Sequence, residues 1–222
     1  DGKEVYGKQI TTQAAFEIAL TEVNNGLAAV TGSTAADVRV RHALALTKGR
    51  ILTNLNRHAE AATAVAGIPT NYAYISYQGQ TTWSNAFWTW NLNSRRYSVG
   101  EKEGTNGMDF VSAKDPRVPV CAGGDAACKA IGVTNTVRDD LTGPFNVLML
   151  WTTRDIQIPI MQGVDARMIE AEAALKAGNA GGALTILNAA RATKTGLAPL
   201  ADAGTAEARR AQLFRERAFW QY

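Results

Sequence analysis

One stretch limits the possible folds more than any other: Ala171-Glu-Ala-Ala-Leu-Lys-Ala-Gly178-Asn-Ala-Gly-Gly-Ala183-Leu-Thr-Ile-Leu187-Asn-Ala-Ala190. It reads as two short amphipathic helices facing each other across a tight turn. Ala171 and Ala183 are small enough for the helices to approach closely, and Gly178 can take the left-handed conformation that ends a helix. The same spacing recurs upstream at one constant offset. Gly49 stands for Ala171, Leu52 for Ala174, Asn56 for Gly178, Ala61 for Ala183 and Val65 for Leu187. Five aligned positions predict two helical hairpins of one geometry.

Small residues at two packing positions, a turn residue between them and apolar fillers resemble a tetratricopeptide unit. Such units normally stack end to end, yet here residues 69–162 lie between the two copies. The expected fold is therefore mainly α, with tetratricopeptide-like hairpins and a large irregular insertion containing short β-strands. Its expected parts are a helical-repeat part over residues 12–68, an aromatic-rich insertion over 69–162 and a second helical-repeat part over 163–222.

Along the chain, Phe16, Ile18, Leu20, Val23 and Leu27 mark an amphipathic helix over residues 12–30. Thr31-Gly-Ser-Thr-Ala-Ala-Asp37 breaks it and supplies caps for a helix over 36–54, followed by a partner over 58–66. Tyr72 to Gln78 alternates as a short strand, and Val118-Pro-Val120, Val147 to Trp151 and Ile156 to Ile160 are strand-like pieces in turn-rich sequence. Helix returns at about Asp165 and runs through the second unit to Ala192. A last helix begins near Thr205 and carries Leu213, Phe214, Ala218 and Trp220. The chain opens on Asp1 and stops at Tyr222 within helical sequence, which reads as a piece of a longer protein.

Composition narrows the function. Hydrophobic residues make up 46% and charged residues 19% of the chain, as in an ordinary globular protein. A formal charge of +3 is too small and dispersed for a nucleic-acid groove. No apolar run reaches a membrane-spanning length. Cys121 and Cys128 are the two cysteines. Metal ligation would need further soft ligands, and His42 and His58 lie in the distant first helical unit. A local disulfide is the simpler reading, adding roughly 2.5 kcal/mol on the chain-entropy account and pointing to an oxidising compartment; two free thiols are the alternative.

No G-x-S-x-G, H-E-x-x-H, Walker A or G-x-G-x-x-G motif occurs. Lys194-Thr-Gly spells a triplet found in β-lactamases, but no S-x-x-K accompanies it. Asp139-Asp140 and Glu170/Glu172 read as a solvated turn and a helix face. A structural calcium ion at Asp139 and Asp140 stays open, although EF-hand spacing is absent. The chemistry that does concentrate is aromatic. Tyr72, Tyr74, Tyr77, Trp83, Phe87, Trp88, Trp90 and Tyr97 crowd one segment with Asn85, Asn91, Asn93, Arg95 and Arg96 interleaved. Aromatic faces beside amide and guanidinium donors suit the apolar faces and hydroxyl edges of sugars. The competing reading makes these rings the core where the insertion meets the helices. Trp83 follows a polar run that reads as an exposed loop, and Trp88 and Trp90 would share a face in an extended segment. Trp83, Trp88, Trp90 and Tyr77, with Asn91 and Arg95 as polar partners, are the candidate ligand-binding residues.

Several stretches resemble the C-terminal portion of the SusD/RagB family. Arg154-Asp-Ile-Gln-Ile-Pro-Ile leading into Ala166-Arg-Met-Ile-Glu-Ala-Glu-Ala is similar to the family's "R-D-x-P-L" and "A-R-L-I-x-A-E-A" segments. Leu187-Asn-Ala-Ala-Arg-Ala with Gly196-Leu-Ala-Pro-Leu is similar to its "L-N-x-V-R-x-R-x-G-L-P-x-L". Leu213-Phe-Arg-Glu-Arg-Ala-Phe-Trp220 is similar to its terminal helix, and Asp115-Pro-Arg117 to a "D-P-R" element before the last helices. The lipid-anchored N-terminal cysteine and the first helical pairs of that family are absent. The resemblance implies a non-enzymatic lipoprotein without cofactor on the outer face of the outer membrane, anchored by lipid outside this chain. It would capture oligosaccharide or peptide for a TonB-dependent transporter of the SusC type. The other function class compatible with the residues is an extracellular helical-repeat scaffold or self-assembling subunit.

Overall fold

A computed structural model of the chain describes residues 7–222. The fold is mainly α. Helix α1 (Thr12–Ala29) starts at Thr11, whose hydroxyl accepts the Ala14 amide at 3.1 Å, and buries Leu20 and Val23. Helix α2 (Ala35–Asn54) opens with a capping box. The Thr34 hydroxyl accepts the Asp37 amide, and the Asp37 carboxylate accepts the Thr34 amide, satisfying two donors a helix start leaves orphaned.

Helix α3 (His58–Val65) folds back on α2. The turn between them holds Asn56 at φ 60°, and the Arg57 amide donates to the Leu52 carbonyl at 2.8 Å. Helices α6 (Gly163–Lys176) and α7 (Ala180–Arg191) repeat that turn. Gly178 sits at φ 77°, and the Asn179 amide donates to the Ala174 carbonyl at 2.8 Å. This is the Schellman closure in both, with the left-handed residue at the same place in each hairpin. At Gly49 the small residue is obligatory: a Cβ there would collide with Val65 on α3 and press on Ile169 of α6.

The insertion does not keep the hairpins apart. Leu46, Leu52, Ala61, Val65 and Ile68 share one buried cluster with Ala166 and Ile169 of α6. Direct stacking is possible because the ends of the insertion are stitched together. Strand β1 (Ala73–Ser76) pairs antiparallel with β4 (Ile158–Gln162), matching Ala73 to Gln162 and Ser76 to Ile158 with a bulge between. Gly163 then begins α6 so close to the chain leaving α3 that a Cβ would strike the Pro69 carbonyl. Its amide donates to Tyr72 at 2.8 Å, and Arg167 donates to the Ile68 carbonyl at 3.1 Å.

Helix α8 (Ala206–Trp220) closes the helical end, burying Leu213 with Met168, Ala171, Leu187 and Ala190. Inside the insertion, β2 (Val120–Ala122) pairs antiparallel with β3 (Asn146–Leu148). The strand expected at Val118-Pro-Val120 is displaced past Pro119, which has no amide to give a ladder. The run Val147 to Trp151 leaves the ladder after Leu148, with the Met149 amide taking the Pro119 carbonyl at 2.8 Å. Cys121 of β2 and Cys128 of the short helix α5 (Ala126–Ala130) are bonded to each other, their Cα atoms 5.7 Å apart. Phe145, Val147 and Val133 pack around the bond. A second cluster joins Val99, Val118, Leu148 and Trp151 of the insertion to Phe219 of α8.

An aromatic cleft between the insertion and the last helix

The segment expected to carry ligand contacts is helical, not extended. A turn of α-helix, α4 (Ala86–Trp88), runs into a π-helical turn at Thr89–Asn93. Asn85 caps it by accepting the Trp88 amide at 3.0 Å and donates to the Ile156 carbonyl at 2.9 Å. Asn91 is 1% exposed and spends its amide on the backbone of Leu148, donating at 2.8 Å. Asn91 therefore fastens the segment to β3 and has no surface to offer a ligand.

Helical winding also parts Trp88 from Trp90, which do not share a face. Trp88 is half-buried under the Arg154 guanidinium, 5.5 Å from the ring centre. Trp90 is 48% exposed with Arg96 over it at 5.6 Å. Arg95, at φ 54°, turns toward the Val137 carbonyl and Asp139. Trp83 is the most exposed large ring among the described residues at 76%, at the end of a loop closed by the Gly79 amide on the Trp83 carbonyl at 2.7 Å. Tyr77 is also exposed, with Arg39 at 3.5 Å from its hydroxyl. These side chains stand on the surface as separate features.

A concave site forms elsewhere, from two rings of this segment and residues far along the chain. Phe87, Tyr97, Trp151, Trp220 and Tyr222 wall a cleft of about 560 Å³, with Gln162, Lys194, Arg117 and Gln221 among its polar lining. Phe87 and Trp151 stack at 4.3 Å between centroids and 17° between planes, and Phe87 keeps 41% of its surface exposed. The Tyr97 and Tyr222 hydroxyls share a hydrogen bond of 2.7 Å. Burial pushes both phenols above their ordinary value, so they stay protonated.

Behind the cleft lies an ion cluster. Arg117 donates to Glu216 at 2.6 Å and to Asp115 at 2.7 Å, and Arg191 donates to Glu216 at 2.6 Å. Burial acts to raise the Asp115 carboxyl, and the hydrogen bonds from Arg117 overcome it, holding the group below its usual range. The Arg117 guanidinium also covers the rings of Phe219 and Trp220 at 5.3 and 5.1 Å. Asp115-Pro-Arg117, the Arg191 segment and the Glu216 helix, three separate stretches of sequence, thus converge on one point. Nothing in their spacing announces that meeting.

A second cleft of about 500 Å³ adjoins the first and shares Pro159, Ile160, Gln162 and Gln221 with it. Its far wall is Arg50 and Asn54 of α2 with Asp165 and Ile169 of α6. Arg50 pairs with Asp165, and Gln221 donates to the same carboxylate at 2.7 Å. Together the clefts make a groove crossing from α2 over β4 to the aromatic wall.

The acidic residues weighed for metal are engaged otherwise. Asp139 faces Arg95 and Arg96, and Asp140 faces Arg138. Asp125 lies beside Cys121 and Cys128, but the sulfurs are bonded to each other and the carboxylate accepts the Ala122 and Cys128 amides at 3.0 and 2.9 Å. His42 packs edge-on against Tyr72 at 5.2 Å, away from both clefts. No helix among the described residues is long and apolar enough to cross a membrane. No protein family, curated protein or solved structure compared with this chain matches it.

Proposed function

We propose that the protein captures an extracellular oligosaccharide or peptide and does not transform it. The observation that carries this reading is Phe87, 41% exposed and stacked on the buried Trp151, on the wall of an aromatic cleft. Flat rings desolvate the C–H face of a sugar or an apolar side chain, while Gln162 and Gln221 serve its polar edge. Exposed Trp83 and Trp90 add outlying contacts for a longer ligand. The carboxylates at the clefts, such as Asp165, are held by guanidinium groups, so they favour orientation over proton transfer.

The resemblance to SusD/RagB proteins extends this to a place and a partner: the outer face of an outer membrane, beside a TonB-dependent transporter that takes up the ligand. The stacked hairpins are the tetratricopeptide-like scaffold that holds the cleft, and the disulfide suits an oxidising exterior. Glycan and peptide arrays, followed by calorimetry on Phe87→Ala, Trp151→Ala and Trp83→Ala, test the reading. Loss of Phe87 from a true anchor weakens binding by roughly 1–3 kcal/mol. Binding unchanged in all three folded variants, or turnover of the ligand seen by mass spectrometry, refutes it.

A further inference from the structure

We infer that the aromatic cleft seats an acidic sugar, a uronic acid unit of an oligosaccharide, with its carboxylate against Lys194. This rests on the oligosaccharide-binding reading above and narrows its ligand class. The grounds are the charges that line the groove. Arg50 is paired with Asp165, Arg217 with Glu172, and Arg117 with Asp115 and Glu216. Arg191 completes the cluster behind the cleft, whose two guanidinium groups and two carboxylates cancel in formal charge. Among the described residues, Lys194 alone of the charged groups lining either cleft has no ion-pair partner.

Its ammonium therefore supplies the uncompensated charge of a site walled by rings. Apolar walls weaken solvent screening and make a single fixed charge more selective than on an open surface. A uronate answers the whole arrangement. Its carboxylate meets Lys194, its ring face lies on the exposed Phe87, and its hydroxyls reach Gln162 and Gln221. An acidic peptide would also satisfy Lys194 and is the competing occupant.

The test is calorimetry on the whole chain with oligogalacturonate, oligoglucuronate and alginate oligomers, each beside its methyl ester, which keeps the ring and removes the charge. At least one acid form should bind about tenfold more tightly than its ester, a difference of about 1.4 kcal/mol. Lys194→Gln should erase that preference, and Lys194→Arg should restore it. Added salt should narrow the gap. Equal affinity of acid and ester, or a preference that survives Lys194→Gln, overturns the acidic-sugar assignment and leaves oligosaccharide binding standing. Failure of every oligosaccharide in both forms overturns both. Tight, Lys194-dependent binding of an acidic peptide in their place overturns the assignment to a sugar.

Discussion

Replacing Glu216 by Ala removes the member of the ion cluster that two guanidinium groups share. Glu216 is 2% exposed and accepts from Arg117 at 2.6 and 3.2 Å and from Arg191 at 2.6 Å. Its loss leaves the cluster with one uncompensated positive charge among nearly buried groups. Breaking a buried pair from one side costs about 3–5 kcal/mol. Arg117 keeps Asp115 through its Nε at 2.9 Å and Nη2 at 2.7 Å, so the lower end, about 3 kcal/mol, is expected. Glu216→Gln keeps the volume and one acceptor oxygen and should cost about 2 kcal/mol, the range of a hydrogen bond to a charged group. A double-mutant cycle with Arg117→Met should show coupling above about 1 kcal/mol. Urea unfolding followed by tryptophan fluorescence and far-ultraviolet circular dichroism supplies all of these values. Because Glu216 is on α8 and Arg117 in the insertion, the same variant should loosen the cleft wall and weaken ligand binding. A Glu216→Ala protein within about 1 kcal/mol of the parent would mean that the cluster does not fasten α8 to the insertion.

Ala183, 1% exposed in the second hairpin, should tolerate no larger side chain, and Ala183→Leu should destabilise by roughly 1–3 kcal/mol in chemical denaturation. Thiol titration of the unfolded, unreduced chain should find no free cysteine, and reduction should lower stability by roughly 2.5 kcal/mol. Asp115 has a depressed folded pKa, so its contribution to stability is full above the unfolded value and fades as pH falls through the folded one. The urea midpoint should therefore drop on acidification below about pH 4, and Asp115→Asn should flatten that part of the profile.

The helical hairpins were legible in the sequence because their determinants are local. The Arg57-to-Leu52 and Asn179-to-Ala174 bonds close within one helical turn, and Asn56 and Gly178 are residue types that accept a positive φ. The Thr34 and Asp37 capping box likewise needs only neighbours. Constant spacing of Gly49 and Ala61 against Ala171 and Ala183 could be read directly, since small residues at close approaches are a demand of packing at those points.

The site was legible only as a concentration of aromatic and amide residues. Sequence cannot separate an amide that binds ligand from one that binds backbone, because the chemistry is the same and the partner lies far along the chain. Asn91 finds Leu148 across 57 residues and disappears into the interior, while Trp83 finds no cover and stays in solvent. Arg117 meets Glu216 across 99 residues, a distance over which no periodicity operates. The choice of Phe87, Tyr97 and Trp151 as cleft walls was made when α8 docked on the insertion. Helix and turn come from forces acting within a few residues, whereas exposure and charge balance are properties of the packed whole and are fixed only when the distant segments meet.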